Sequence, residues 1–361
     1  MEAAHQNRKG EAHDAPILLT WQLLASPGVP PAVPRAGLRF EVAVVQRYII
    51  RRLLLMIPTL IGVTFIVFIL VRSVPGNVVD LISGDYGSMD PKAKAALQKD
   101  LGLDQNVAKQ YVEWLGKIVR FDFGDSILSS RSVNSELSHR IPITIELGVL
   151  AIIISLVIAL PIGVISAVRQ DSAADYIGRS FAIGLLAAPS FWIAIMLITL
   201  ASRYFLWGVP PNKYVNFSDD PISNLKFMFV PAFLLGAALA GGVMRFARSS
   251  MLEVLRQDYI RTAWSKGLRE RVIVVRHGMR NGLIPVITVV GLQLPILVGG
   301  SVIIEQIYNI PGMGRYYITA INQHDYPVIQ AINIIIALVV VFSNLAVDLL
   351  YGVIDPRIRY S

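Results

Sequence analysis

Long stretches without any charged side chain constrain this chain more than any other feature of its sequence. Six windows of 18 to 23 residues contain no Asp, Glu, Lys or Arg. A helix needs about 20 residues to cross the hydrocarbon core of a membrane, so each window is long enough to span it. The windows are Leu53–Val71, Leu147–Val168, Ser180–Ser202, Phe227–Met244, Gly282–Ile304 and Pro327–Val347. They predict an all-α polytopic membrane protein with six transmembrane helices.

The composition agrees with that prediction and excludes several chemistries. Charged residues make up 16% of the chain, whereas soluble domains carry about 25%. The chain has no Cys, which rules out disulfide scaffolds, thiol catalysis and Cys-ligated metals. Its five His show neither HxxxH nor HExxH spacing. We therefore expect no metal site, no catalytic residues and no cofactor held by this chain.

The distribution of basic residues predicts the orientation in the membrane. Residues 245–281 hold nine Lys or Arg and only three acidic residues. Short basic loops stay in the cytoplasm, so this loop and, with six spans, both termini are expected to be cytoplasmic. The segment Arg72–Glu146 then lies outside, and it is nearly neutral, with nine basic and ten acidic residues.

The remaining features divide the chain into regions. Residues 1–44 include the Pro-rich stretch Pro27–Gly37 and are expected to be a disordered extension or the product of a misassigned start codon. The first transmembrane helix covers 45–74. An external helical segment covers 75–140, with a helix from Pro91 to about Arg120. Residues 141–351 hold the other five helices and 352–361 form a cytoplasmic tail. Aromatic side chains of the external loops fit an interfacial belt: Tyr111, Trp114 and Trp207.

The basic loop is the most informative stretch, reading DYIRTAWSKGLRERVIVVRHGMRNGLIP over 258–285. We predict a helix over Arg256–Lys266, a stop at Gly267, which tolerates a positive φ, and a second basic helix over Leu268–Arg280. Ala263 and Gly267 lie four apart on one face and would let a partner backbone approach closely. The spacing alone leaves two interpretations equally open: a rigid knuckle that contacts a partner, or a solvated loop that only fixes topology.

This loop resembles the EAA loop of permease subunits of binding-protein-dependent ABC importers. The family pattern of an acidic residue, Ala, Gly and Leu/Ile-x-Pro is similar to Asp258, Ala263, Gly267 and Ile284–Pro285, although Trp264 and Ser265 depart from the residues often found there. The chain resembles the first, B-type permease of the dipeptide/oligopeptide/nickel branch over about 45–361. The motifs that carry this are RYIIRRLLLMIPTLIGVTFIVF at 47–68, LGLDQNVAKQYVEWLGKI at 101–118, RIPITIELG at 140–148, RSSMLEVLRQDYIRTA at 248–263, SVIIEQIYNIPGMGRYYITAINQHDYPVIQA at 301–331 and VDLLYGVIDPRIRY at 347–360.

The resemblance implies a type I ABC importer permease fold in the plasma (inner) membrane, with 141–351 as its ABC type-1 transmembrane domain. It also implies partners: a homologous second permease, two cytoplasmic ATP-binding subunits and an external solute-binding protein. ATP would bind to the partner subunits, since this chain lacks the GxxxxGK[ST] phosphate loop and is expected to be a transporter subunit rather than an enzyme. The residues implied to couple transport to the ATPases are Asp258, Arg261, Thr262, Ala263, Lys266 and Gly267.

The substrate is not encoded in any residue of the chain. The family carries di- and oligopeptides, nickel complexes, glutathione-like peptides and some oligosaccharides, and peptide is the leading expectation. The alternative function is an ion-coupled secondary transporter acting alone. Charges at the window ends only, such as Glu146, Glu305 and Asp348, argue against that carrier without eliminating it, because backbone carbonyls can also bind ions. An intramembrane hydrolase is disfavoured because His277 and His324 lie outside the windows.

Overall fold

The computed structural model describes residues 35–73, 90, 92, 105–205 and 214–354. These residues form helices and contain no β-strand, only an isolated bridge between Asp125 and Ser132. The helices are α1 (Arg35–Ser73), α2 (Val107–Val119), α3 (Val133–Val168), α4 (Ala173–Ala187), α5 (Ser190–Leu200, continuing as the π-helical turn Ala201–Phe205), α6 (Pro221–Leu255), α7 (Asp258–Ser265), α8 (Glu270–Gly282), α9 (Ile284–Ile307), α10 (Met313–Asn322) and α11 (Tyr326–Ile354). The all-α prediction is confirmed. The chain divides into the units Met1–Tyr48 and Ile49–Ser361, and every contact below lies within the second.

Four helices are long and apolar enough to cross a membrane unbroken: Ile50–Ser73 in α1, α3, α6, and Tyr326–Leu349 in α11. Two further spans are each made of a bent pair. The α4–α5 pair bends by 86° and the α8–α9 pair by 46°, so the predicted six spans are reached when each pair counts as one. The window Ser180–Ser202 is therefore broken rather than continuous. Pro189 lies at the break and precedes α5, because proline lacks the N–H that a continuous helix requires.

Several predicted boundaries shift. Helix α1 begins at Arg35, inside the stretch 1–44 that was expected to be disordered, and residues 1–34 lie outside the described residues. Of the predicted external helix from Pro91 to Arg120, the described part is α2, which is capped by the Asn106 side chain accepting from the Ala108 N–H at 3.0 Å. Helix α3 begins at Val133, inside the region 75–140 that was assigned to the external helical segment. The last residues, 355–361, lie outside the description.

Helix α2 packs its aromatic side chains on α1. The rings of Tyr111 and Trp114 lie 5.2 and 5.5 Å from the ring of Phe68. The Tyr111 hydroxyl is 3.0 Å from the Thr64 hydroxyl, and Arg72 donates to the Gln110 amide oxygen at 2.6 Å. These aromatics, predicted as an interfacial belt, serve helix packing here. Trp207 lies outside the described residues.

The centre of the bundle is the parallel pair α3 and α6. Small residues bring the two backbones close together: Ala151 and Ala232 are fully buried, and a Cβ on Gly236 would lie 2.5 Å from the Ala151 carbonyl oxygen. In lipid, where apolar surface gains little by leaving the solvent, close packing at small residues is what holds helices together. Gly236 is therefore a helix-packing residue.

The end of α9 that leads into α10 is held by a buried carboxylate, which we call the Glu305 latch. Glu305 is 0% exposed. Its Oε1 accepts from the Thr144 hydroxyl at 2.8 Å, and its Oε2 accepts from the Arg315 N–H at 3.0 Å. The Thr144 oxygen accepts in turn from the Met313 N–H at 2.9 Å. The latch therefore ties α3, α9 and α10 together at one point.

A second carboxylate fixes the turn before α3 to the same end. Asp325 is buried and accepts from the Ser126 hydroxyl at 2.5 Å and from the Ile127 N–H at 3.3 Å. Two segments far apart in sequence are thus joined by a carboxylate whose oxygens both have donors.

Candidate functional site

The basic loop folds into two short helices at the opposite end of α9 from the Glu305 latch. Helix α6 continues to Leu255, and the Arg256 N–H closes its last turn on the Glu253 carbonyl at 3.3 Å. Helix α7 begins at Asp258 and ends at Ser265, so the predicted helix over Arg256–Lys266 is shorter and separate from α6. The predicted second helix becomes α8, Glu270–Gly282, which contains the π-helical stretch Ile273–Met279.

The inner face of α7 packs on α8. Ile260 and Ala263 form a buried cluster with Ile273. Ala263 is only 7% exposed, which corrects the expectation that Ala263 and Gly267 share a face open to a partner. The small side chain of Ala263 instead lets α7 lie close to α8 of the same chain.

The outer face of α7 carries the polar members of the predicted coupling set. Asp258 and Arg261 form an ion pair of 3.3 Å, and their side chains are 94% and 75% exposed. The Thr262 hydroxyl donates to the Asp258 carbonyl at 3.0 Å, within the helix. Lys266 follows the last turn and is exposed. The structure therefore brings Asp258, Arg261 and Thr262 together on a surface that is open to solvent.

Gly267 ends α7 as predicted. Its φ is +73°, a conformation that glycine adopts without the Cβ penalty of other residues. The Gly267 N–H donates to the Trp264 carbonyl at 2.9 Å, and the Leu268 N–H reaches back to the Ala263 carbonyl at 3.4 Å. These bonds satisfy carbonyls that the helix end leaves open and set the sharp angle between α7 and α8.

Helix α8 is attached firmly to α6. Met251 of α6 is fully buried in a cluster with Val164 and Ala167 of α3, and Val274 and Met279 of α8 pack against it. The Asn281 side-chain amide donates to the Tyr259 hydroxyl at 3.0 Å, which links the start of α7 to the end of α8. These contacts join α7 to α8, and α8 to α6.

A buried carboxylate that the sequence patterns did not predict holds this end of the bundle, and we call it the Asp175 clamp. Asp175, at the start of α4, is 0% exposed. Both of its oxygens accept from the Arg248 guanidinium of α6, each at 2.7 Å, and it also accepts from the Ser166 hydroxyl of α3. In the sequence Arg248 is one of nine basic residues over 245–281 and opens the motif RSSMLEVLRQDYIRTA, and neither pattern predicts a buried partner. The sequence does not show which of two acids is buried, because Asp175 is close in sequence to the equally acidic Asp171, whose side chain is 67% exposed.

No group of three or more His, Asp or Glu that could hold a metal occurs in the part of the chain that the structure describes. A short helix presents a charged face, and its other face is fixed to two long helices.

Sequence comparisons identify the family. The profile of the family described as "Binding-protein-dependent transport system inner membrane component" matches residues 159–360. The profile of the N-terminal membrane component of the same systems matches residues 45–148. Together they cover both the Glu305 latch and the α7–α8 loop.

Curated relatives match over nearly their full length. The oligopeptide transport system permease protein AppB of Bacillus subtilis is 41% identical, over 87% of this chain and 99% of the relative. The dipeptide transport system permease protein DppB of Escherichia coli K12 is 37% identical over the same shares. A putative peptide transport system permease protein of Brucella abortus is 39% identical, again over 87% of this chain and 99% of its own. The chain therefore belongs to the family of inner membrane components of binding-protein-dependent transport systems, as a multi-pass ABC importer permease subunit and not an enzyme.

Proposed function

We propose that this chain forms half of the translocation pathway of an ATP-driven importer of peptides. A homologous second permease would form the other half, two cytoplasmic subunits would bind ATP, and an external binding protein would deliver the substrate. The relatives named as dipeptide and oligopeptide permeases support peptide as the substrate class. The exposed charged face of α7 on a firmly attached helix pair is the observation that supports coupling to a partner.

In this proposal α7 docks on an ATP-binding subunit through Asp258, Arg261 and Thr262. Closure of the ATPase pair on ATP would move α7. Because Ala263 and Ile260 hold α7 on α8, and Met251 holds α8 on α6, the two long helices would follow and reorient the central pathway. Lys266 and Gly267 fix where α7 ends and hence the direction in which it pushes.

The proposed orientation has this loop and both termini in the cytoplasm. The ion pair between Arg52 at the start of the α1 span and Asp348 in α11, at 3.1 Å, supports a common side for the first and last spans. The excess of Lys and Arg over 245–281 supports the cytoplasm as that side.

The first test is purification of the tagged chain from its native membranes in mild detergent, followed by reconstitution in liposomes. We expect a second permease and P-loop ATPases to co-purify, and we expect uptake of a labelled dipeptide to require ATP. If the chain came alone and drove uptake from an ion gradient without ATP, the ion-coupled carrier would replace the importer.

The second test addresses α7 itself. Ala263→Glu would place a carboxylate in the Ile260–Ile273 cluster, and Gly267→Asp would force a side chain into a positive φ. Both are expected to abolish ATP-driven uptake in complexes that still insert and assemble. Arg271→Gln, an exposed change on α8, is the matched control. Normal uptake by assembled Ala263→Glu and Gly267→Asp complexes would contradict the coupling role.

A further inference from the structure

A cavity of about 300 Å³ lies between α4 and α6, beside the Asp175 clamp. It is distinct from the outer face of α7 and from any contact that the proposed transport cycle uses. Its lining combines basic residues with small and branched apolar ones: Gly178, Arg179, Ile183, Gly241, Arg245 and Arg248.

The basic side chains at this cavity are not all neutralised. Arg248 is committed to Asp175 through two bonds of 2.7 Å. Arg179 shares the same carboxylate, with its Nη2 3.2 Å away in an ion pair, although its Nε and Nη2 make no hydrogen bond of suitable geometry within the described residues. Arg245 is exposed, and no carboxylate of the described ranges lies within ion-pair distance of it. The other acid nearby, Asp171, is 3.9 Å from Arg179 and largely solvated.

One wall of the cavity is apolar and open. Ile183 and Leu186 follow Arg179 along α4 at helical spacing, so all three lie on one face. Ile183 is 66% exposed and Leu186 48% exposed. Because α4 begins a candidate membrane span, this ridge runs from the charged end of the cavity into the depth of the bilayer. A site with guanidinium groups at one end and an apolar track leading away from them is complementary to an amphiphile, which has an anionic headgroup and an apolar tail.

We propose that this cavity binds an anionic phospholipid. The headgroup phosphate would accept from Arg179 and Arg245, and an acyl chain would lie along Ile183 and Leu186. Guanidinium forks match phosphate oxygens, and a basic pocket at the cytoplasmic end of transmembrane helices is the expected location for an anionic headgroup. A soluble phosphate shares the headgroup chemistry, but it would leave the apolar track unused.

The experiment is a lipid titration followed by native mass spectrometry of the full chain, purified with the subunits that accompany it. Dioleoyl phosphatidylglycerol and dioleoyl phosphatidylcholine are the two lipid probes, and radiolabelled inorganic phosphate is measured separately by equilibrium binding. We expect phosphatidylglycerol to bind more tightly than phosphatidylcholine. Arg245→Gln should weaken phosphatidylglycerol binding roughly fivefold, the effect of one interfacial charge.

A variant of the apolar track separates lipid from free phosphate. Ile183→Ser should weaken phosphatidylglycerol binding and leave phosphate binding unchanged. Arg203→Gln, at an exposed arginine at the far end of the same bent pair, should change neither the lipid affinity nor the phosphate affinity. Arg179→Lys keeps the positive charge, so it replaces a charge-removing Arg179 variant if that variant does not fold. Equal affinity for the two lipids, or an Arg245→Gln variant with unchanged affinity, would overturn the proposal. Phosphate binding that depends on Arg245, with lipid binding indifferent to Ile183, would assign the cavity to a soluble phosphate instead.

Discussion

The two ends of α9 use carboxylates in opposite ways. At the α10 end, Glu305 is 0% exposed and accepts from Thr144 and from the Arg315 backbone. At the α7 end, Asp258 has a 94% exposed side chain and a single ion pair with its own helix neighbour Arg261. A buried, saturated carboxylate fixes the elements that donate to it. An exposed one contributes little to the fold and stays available to a partner.

The Asp175 clamp shares its position with one of these carboxylates and its burial with the other. It belongs to the α7 end, yet Asp175 is as buried as Glu305. Its partner Arg248 is on α6, shortly before α7 begins. The α7 end thus combines a fixed base with an exposed tip, whereas Glu305 and Asp325, at the α10 end, are both buried.

The largest expected effect is at the Glu305 latch. Glu305→Leu would leave the Thr144 hydroxyl and the Arg315 N–H without their acceptor in a buried site, which costs about 3 kcal/mol of unfolding free energy. The measurement is the thermal unfolding midpoint of the purified chain in detergent. Glu305→Gln, which keeps one side-chain oxygen as an acceptor, should lose less. Equal unfolding midpoints for Glu305→Leu and the parent chain would show that the Glu305 latch does not stabilise the fold.

A somewhat smaller loss is expected at the Asp175 clamp. Asp175→Asn removes the charge that faces Arg248 and should lower the unfolding free energy by about 2–3 kcal/mol, because a partly buried guanidinium loses its counter-ion. Asp171→Asn is the matched control, since its side chain is mostly solvated and the change should be close to neutral. Chemical denaturation in mixed micelles compares the two. If both variants were equally stable, the difference in burial would have no energetic meaning.

A third prediction concerns the end of α7. Gly267→Ala places a Cβ at a φ of +73° and should cost about 1 kcal/mol. Gly116→Ala, within α2 and with no heavy atom within 4 Å of the added Cβ, should instead stabilise by up to about 1 kcal/mol. The test is that the two variants change stability in opposite directions, and the thermal unfolding midpoint measures both changes. Stabilisation by Gly267→Ala would mean that the α7–α8 corner relaxes to another backbone conformation.

The smallest effect on stability, joined to a large effect on function, is expected at Asp258. Asp258→Asn removes an exposed ion pair and should change the unfolding free energy by less than about 0.5 kcal/mol, while ATP-driven uptake falls. Glu113→Gln removes the comparably exposed Lys109–Glu113 pair of 3.8 Å on α2 and should change neither quantity. Uptake that is reduced equally by both variants would remove the special role assigned to α7.

Much of the architecture was readable from local pattern. The charge-free windows marked every span because a bilayer excludes charge wherever a helix crosses it. Gly267 was readable as a helix end because its requirement for a positive φ is a property of one residue. The helix predicted over Arg256–Lys266 located α7 to within two residues of its start and one of its end.

Other features could not be read from one position at a time. Pro58 and Pro161 lie inside unbroken helices whereas Pro189 lies at a break, so a proline alone does not predict one. The burial of Ala263 depends on which helix lies alongside. Asp171 and Asp175 look alike in sequence, and only the approach of Arg248 from α6 separates them. The cavity beside Arg179 and Arg245 exists because α4 and α6 meet there, at a distance in the chain that no local motif records.

The sequence by itself therefore determined that this chain is helical and where its candidate membrane spans lie. It also predicted which loop faces the proposed ATPase partners. Those properties follow from solvation and backbone preference, which act residue by residue. The tertiary structure alone decided which carboxylates are buried, which face of α7 is free, and where basic side chains keep unsatisfied donors. These depend on distances between segments far apart in sequence, since a charge is neutralised only by the neighbour that packing brings to it.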